Sequence, residues 1–405
     1  MMRNPMRRNM TVATILTNVF VSLIFVFSLG CTKKQQQSSE TSKKSSQQNL
    51  ETNDTILIGA VLSLTGPEAT FGISTKNAIE LSFEQKNKEG GVLGKKLKLI
   101  TLDNQSKPEE SAIAITKLIT QDNVVAVLGE VASSRSIAMA PIAQSNKIPM
   151  LSTASTNPKV TELGDFIFRT SFIDPFQGPV LARFVFENLK MKKVAIFKDV
   201  KNDYSIGLSQ FFKEKFVELG GQIISEQSYS AGDMDFKAQL TAIRSAKPEF
   251  VYLPGYYTDV GLILRQAREL GIKVPFGGGD GWDSPKLFEI GGKATEGGYF
   301  SNHYSPEAED PFVQSFVKEY EAKYGTVPDA LAALGYDSGI IMIEALKNSK
   351  SLAGTDIRDA LAKTSKIKGV TGIITFNSQR NPIKSAVIIK IEDGKQKYVT
   401  TIDPS

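Results

Sequence analysis

From residue 55 onward the chain alternates short β-branched runs with amphipathic helical stretches, and this rhythm constrains the fold more than any other feature. Alternation of this kind is the mark of βαβ units, hence of parallel sheets covered by helices. Strands are expected at 55–62, 97–103, 124–128, 149–152, 193–198, 223–229, 250–253, 274–277, 298–302 and 386–392. Helices are expected at 74–87, with Ala78, Leu81 and Gln85 on one stripe, and at 108–120, with Ser106 as cap and Ala112, Ile115 and Ile119 facing inward. Further helices are expected at 209–219, 236–245, 260–270, 311–324 and 330–347. The pattern gives an α/β class but does not separate one doubly wound fold from another.

About 350 residues follow position 54, more than a single core usually serves, so two domains are expected. The rhythm breaks at three places. Phe172-Ile173-Asp174-Pro175-Phe176-Gln177-Gly178-Pro179 interrupts it first, an irregular stretch at 302–311 second, and one at 370–375 third. Three breaks imply two doubly wound parallel-sheet lobes built from discontinuous pieces and joined by three hinge crossings: residues 55–172 with 303–372, and residues 173–302 with 373–405. Such lobes can close on a ligand held between them.

The first 54 residues have a different character. Arg3, Arg7 and Arg8 precede an apolar run of 19 residues, 11–29, that ends Ser28-Leu29-Gly30-Cys31. A basic stretch, an apolar stretch and a small-residue cleavage site make a secretory signal over 1–30. Cys31, the single cysteine, stands where a lipoprotein is cut and lipidated, and the Lys-, Gln- and Ser-rich stretch 31–54 reads as a flexible tether. The competing reading is an uncleaved N-terminal membrane helix. Both place the globular part outside the cytoplasm, near a membrane. With Cys31 lipidated no intrachain disulfide can form, so packing alone must stabilise the fold.

The formal net charge is +5, of which three belong to the arginines ahead of the apolar run. The remainder is too small to argue for nucleic acid. Enzyme chemistry is poorly supplied. His303 is the only histidine and reads as a hinge or surface residue rather than a base. No serine sits in a G-x-S-x-G elbow, and neither metal nor cofactor is expected. What stands out is a series of polar loops after strands. Leu64-Thr65-Gly66-Pro67 with Phe71-Gly72 follows the first, either a cleft wall or a simple Gly-Pro turn. Gly129-Glu130-Val131-Ala132-Ser133-Ser134 offers serines at a helix start, where amide hydrogens and the helix dipole favour an anion. Ser152-Thr153-Ala154-Ser155-Thr156-Asn157 repeats the theme, and Gly277-Gly278-Gly279-Asp280 displays an acid after an apolar strand. Each of these loops is equally readable as a cap or turn.

Several segments occur together in a fixed order: Thr65-Gly66-Pro67 with Phe71-Gly72, Gly90-Gly91-Val92-Leu93-Gly94-Lys95-Lys96-Leu97, Asp103, Ala132-Ser133-Ser134, Arg169-Thr170, Asp203-Tyr204-Ser205-Ile206-Gly207, Gly255-Tyr256, Arg265-Gln266-Ala267-Arg268 and Tyr336-Asp337. In that order the chain resembles the leucine/isoleucine/valine-binding proteins of ABC importers, with the type I periplasmic binding fold, over about residues 55–400. The resemblance implies a binding protein and not an enzyme. It serves an ABC permease in the inner membrane, is held at the membrane through Cys31, and is expected to be a monomer that takes a small amino acid and no nucleic acid. It assigns Ser133 and Thr156 to the ligand carboxylate, with Val131 and Ala132 along the approach. The Ala154 carbonyl and Thr156 hydroxyl would accept from the ammonium, and Asp280 would supply its countercharge. Tyr204 and Tyr256 would cover the ligand, and Phe71 would wall its side chain. Ser155 stands where alanine is common, Tyr257 where smaller or polar residues are, and Asp280 is one methylene shorter than the glutamate of some relatives. The same fold also serves amides, urea and aromatic carboxylates, and a surface lipoprotein with a sensing or protein-interaction role is a further alternative.

Overall fold

The computed structural model describes residues 54–404, so the signal, Cys31 and the tether lie outside the described residues. Among the described residues fourteen strands form three sheets. The first has the order β2-β1-β3-β4-β5, from β1 (Thr55–Leu62), β2 (Lys96–Asp103), β3 (Ala126–Leu128), β4 (Met150–Ser152) and β5 (Ile167–Arg169), and every pairing in it is parallel. The interior strand β1 is apolar from Ile56 onward and largely buried on both faces, as a helix-covered parallel strand must be.

The second sheet contains β6 (Lys193–Asp199), β7 (Gln222–Tyr229), β8 (Phe250–Tyr252), β9 (Phe276–Gly278), β10 (Tyr299–Asn302), β13 (Ala386–Glu392) and β14 (Lys395–Ile402), in the order β14-β13-β10-β9-β8-β6-β7. Its five earlier strands are parallel, but β13 and β14 pair antiparallel as an edge hairpin. The second sheet is thus mostly parallel, as expected, with an antiparallel hairpin added at one edge. Glu392-Asp393-Gly394-Lys395 makes a tight turn, with Asp393 and Gly394 both at positive φ, so the chain folds straight back and no crossover helix is possible. A small hairpin, β11 (Ile367–Gly369) with β12 (Gly372–Ile374), stands apart. The chain passes between the two large sheets three times: between β5 and β6, after β10, and before β13.

Helix positions follow the sequence pattern, with informative shifts. The helix Pro108–Thr120 spans the expected residues, but Lys107 is its N-cap. Ser106 instead accepts from the Glu68 amide and donates to the Thr65 carbonyl. Its buried stripe is Ser111, Ala114, Ile115 and Leu118, so Ala112 and Ile119 are only half-buried. The helix Ala69–Lys88 begins five residues ahead of its expected start, without a side-chain cap to announce it. The irregular Phe172–Pro179 stretch in fact opens a helix, Asp174–Arg183, with Pro175 in its first turn, where a missing amide hydrogen costs nothing.

Two glycines show how closely the pieces of the first lobe meet. The helix Ala330–Asn348 returns to pack against Ala69–Lys88. A Cβ on Gly335 would lie 2.7 Å from the Thr75 carbonyl oxygen, and one on Gly339 would lie 1.9 Å from the Ser82 hydroxyl. A third, Gly72, lets the first turn of Ala69–Lys88 press on the Ser63 backbone at the end of β1, where a Cβ would approach to 2.0 Å.

Candidate functional site

The loops leaving β1, β3, β4, β8 and β9 converge between the lobes at the carboxyl ends of their strands, the usual ligand position in open α/β sheets. They close on a void of about 10 Å3 lined by Phe71, Val131, Ser133, Ala154, Thr156, Tyr204, Tyr256, Asp280, Gly281 and Leu331. That is room for about one water molecule, far below the ~300–1,000 Å3 of cavities for drug-sized molecules, so the walls are nearly in contact here. Eight of the ten residues named from sequence meet here. Ala132 and Ser155 do not line the void. The Ala132 amide donates to Glu130 Oε2 at 2.6 Å. Ser155 turns its hydroxyl away, to the Glu130 and Val131 carbonyls and to Ser136, 2.8–3.1 Å off. It stitches the two polar loops together.

The first-lobe wall offers neutral groups. Ser133 opens the helix Ser133–Ser145, whose first amides have no carbonyl one turn earlier, and Ala132, not a serine, is its N-cap. The Ser133 hydroxyl accepts from the Asn157 amide at 3.2 Å. The Thr156 hydroxyl is buried and makes no hydrogen bond of good geometry among the described residues, though it lies beside the Asp174 carboxyl.

Charge behind this wall is neutralised within it. Glu130 accepts from the Ser63 amide and hydroxyl and from Asn104 through Oε1, and from Ala132 and Arg135 through Oε2. Arg135 also pairs with Glu68 at 3.1 Å. Burial raises the Glu68 carboxyl while Arg135 opposes the shift, and the two carboxylates raise the Arg135 guanidinium against its own burial. Arg169, fully buried, donates to the Ser155 and Asn157 carbonyls at 2.7 and 2.9 Å and to Asn381 at 2.6 Å. Burial lowers its guanidinium to about 10. The loop holding Ala154 and Thr156 is thereby tied to the segment leading to β13. Asp103 gathers the Leu64, Thr65 and Gln105 amides, so Leu64–Pro67 is a braced turn and only Phe71 of that motif reaches the void.

The second-lobe wall displays its acid. Asp280 Oδ1 accepts from Gln177 Nε2 at 2.8 Å and from the Tyr204 hydroxyl at 3.0 Å, and its Oδ2 lies 3.0 Å from His303 Nε2. His303 is thus a buried neighbour of the site and not a surface residue; burial lowers its pKa against the pull of Asp280. Asp174 is also buried; burial pushes its carboxyl up to about 8, against the opposing pull of the nearby Thr156 hydroxyl. Tyr204 and Tyr256 stack at 5.4 Å, and Tyr256 meets the edge of Phe71 at 5.7 Å across the cleft.

The lobes also touch around the void. The Thr70 amide donates to the Tyr257 hydroxyl at 3.3 Å, and the Thr70 and Ser284 hydroxyls meet at 2.9 Å. Thr258 donates to the Pro67 carbonyl at 2.6 Å, Ser134 bonds Asp203 at 2.9 Å, and Asn157 donates to the Asp203 carbonyl at 2.8 Å. Sequence reading did not assign Leu331, Gly281, Gln177 or these bridging residues. A signal did exist for one: Asn202 caps the helix Asp203–Glu218, accepting from the Tyr204 amide at 3.0 Å, and so marks a helix start that orients Tyr204. Among the described residues no cluster of three or more His, Cys, Asp or Glu is placed to hold a metal, and no helix is long and apolar enough to cross a membrane.

Comparison with known proteins agrees with this geometry. The periplasmic binding protein family model matches residues 55–396. A Leu/Ile/Val-binding protein homologue of Brucella suis is 30% identical over 85% of this chain and 93% of its own length. The solved leucine-binding protein LivK of Thermotoga maritima is 42% identical, with a TM-score of 0.83 over 86% of this chain and 99% of that one. LivJ of Streptococcus pneumoniae, solved with isoleucine, is 32% identical with a TM-score of 0.82, covering 86% of this chain and 100% of that one. With its two-lobed α/β fold and a cleft at the strand ends, the chain belongs to the Leu/Ile/Val-binding family of periplasmic binding proteins.

Proposed function

We propose that this substrate-binding protein takes an α-amino acid with a small aliphatic side chain, of the leucine, isoleucine and valine class, and delivers it to an ABC permease. One observation carries the reading: a small void faced on one side by neutral donors, among them the buried hydroxyl of Thr156, and on the other by the carboxylate of Asp280. A zwitterion needs both kinds of wall, since an unpaired buried charge is costly. In this reading Ser133 with the first amides of its helix, and Thr156 from the neighbouring loop, hold the carboxylate. The Ala154 carbonyl and Asp280 hold the ammonium, and Phe71, Val131 and Leu331 face the side chain. Pieces 55–172 with 303–372 and 173–302 with 373–405 act as the closing lobes, and Cys31 carries a lipid that keeps the receptor at the membrane facing the periplasm or cell exterior.

A thermal-shift screen of residues 55–405 against the twenty amino acids tests this. A ligand at 100 times its Kd adds about 2.7 kcal/mol, a clear rise in Tm. Stabilisation by leucine, isoleucine or valine supports the reading, and none by any amino acid refutes it. A binding protein from Rhodopseudomonas palustris, 26% identical and solved with 3,4-dihydroxybenzoic acid, makes an aromatic carboxylate the second reading. Asp280→Ala separates them: it abolishes amino-acid binding but spares a ligand that has no ammonium group. For the anchor, Cys31→Ser is expected to release the protein from the membrane fraction.

A further inference from the structure

Asp280 opens a single 3-10 turn, Asp280–Trp282, directly after a run of glycines. No long helix restrains its side chain, and it is a methylene shorter than glutamate, so its aim depends on the groups that hold it. Gln177 and Tyr204 both hold Oδ1. Oδ2 has one side-chain partner, His303 Nε2 at 3.0 Å. The His303 ring is itself clamped: it stacks on Phe172 with centroids 3.8 Å apart and planes 25° from parallel, at the place where the chain leaves β10. Its Nδ1 has no partner among the described residues, which suits a neutral ring with its proton on Nε2.

We infer that His303 is a positioning residue of the ligand site: its Nε2–H bond to Oδ2 turns the Asp280 carboxylate toward the ligand ammonium. The inference rests on the amino-acid reading above. The need for such a donor is local. Asp174, on the helix that also supplies Gln177, places a second buried carboxyl close enough to oppose the charge on Asp280. Without His303, Oδ2 would be a buried carboxylate oxygen with no side-chain donor beside that group, free to turn from the ligand. The remaining charged groups around the ring are Asp283, in the Asp280 turn, and Lys384, in the segment before β13. Burial disfavours a charged imidazole, so the ring donates as a neutral group.

Because His303 is the only histidine, 15N-histidine labelling of the full chain gives the signals of one imidazole. The neutral Nε2–H form is expected over about pH 7 to 8, with Nε2 shifting on addition of L-leucine and Nδ1 shifting less. A proton on Nδ1, or a charged ring across that range, overturns the proposal without any ligand. In binding, His303→Leu is expected to weaken L-leucine by about 10-fold or more, while His303→Gln, which retains a donor near Nε2, stays within about 3-fold of wild type. In an Asp280→Asn background, His303→Leu should add less than about 2-fold, because the two residues act as one unit. Full additivity, or loss in the Gln variant equal to that in Leu, overturns the positioning role while leaving the ligand reading intact. A wild-type protein that binds no α-amino acid overturns the ligand reading itself. If His303→Leu fails to fold, the tautomer and its response to leucine still decide the matter.

Discussion

The two walls of the cleft treat charge in opposite ways. On the first-lobe side Glu130, Arg135, Glu68 and Arg169 are buried just behind the loops, their charges paired or bonded to backbone, and the void itself meets a serine and a threonine. On the second-lobe side the carboxylate of Asp280 reaches the void, flanked by two tyrosines. The contrast teaches that buried charge serves two purposes in this molecule. Behind one wall it braces backbone; at the other it meets the ligand. Stability and affinity are therefore expected to respond separately.

The sharpest way to break that comparison is at Glu130. Glu130→Ala leaves Arg135 with one carboxylate partner and frees the ends of β1 and β3. It should cost about 3–5 kcal/mol of folding stability by denaturant titration, with most of the damage in stability. Asp280→Asn should do the reverse. Amino-acid affinity should fall by about 2–5 kcal/mol, the range for truncating one partner of a buried charge pair, with the melting temperature of the free protein little changed. If Asp280→Asn destabilises the fold as much as Glu130→Ala, the division is wrong.

Thr156→Val comes next. The hydroxyl makes no hydrogen bond of good geometry among the described residues, so its removal should not destabilise the free protein, yet ligand binding should weaken by about 1–3 kcal/mol in calorimetry. Unchanged affinity would remove Thr156 from the carboxylate site. The smallest effect is expected at the rim. Tyr257→Phe deletes the acceptor for the Thr70 amide but keeps the ring against Phe71, at 5.0 Å, so affinity should drop by only about 0.5–1.5 kcal/mol. A larger loss would mean that closure depends more on the rim than on the ligand.

Much of this was legible in the chain, and the rest was hidden for physical reasons. Strands such as Thr55–Leu62 and Ala386–Glu392 are rich in β-branched residues with clear ends, and were readable to the residue. The antiparallel edge was not, because Lys395–Ile402 is polar and half-exposed and carries no apolar alternation. Helix starts without side-chain caps, such as Ala69, left no signal. Site residues on loops after strands were found because strand ends and polar loops are both visible in sequence. His303, Gln177 and Leu331 were missed as neighbours of the site because they arrive from distant segments, and only the crossings bring them to Asp280 and the void. Ser155 misled for a related reason. It belongs to the same loop as its neighbours, but alternate residues of an extended segment point opposite ways, and Ser155 points inward to the protein.

The paired glycines at 335 and 339 set more than the spacing of two helices. Leu331 lies one turn earlier on their helix, and Phe71 lies on the first turn of the helix they press against. Both side chains face the void. An alanine at 335 would collide with the Thr75 carbonyl and push the helices apart, widening the chamber where the ligand's aliphatic end sits in the proposed reading. Discrimination among amino acids can thus be retuned from positions the ligand never touches, and a search for altered selectivity should begin at this seam as well as at the cavity wall.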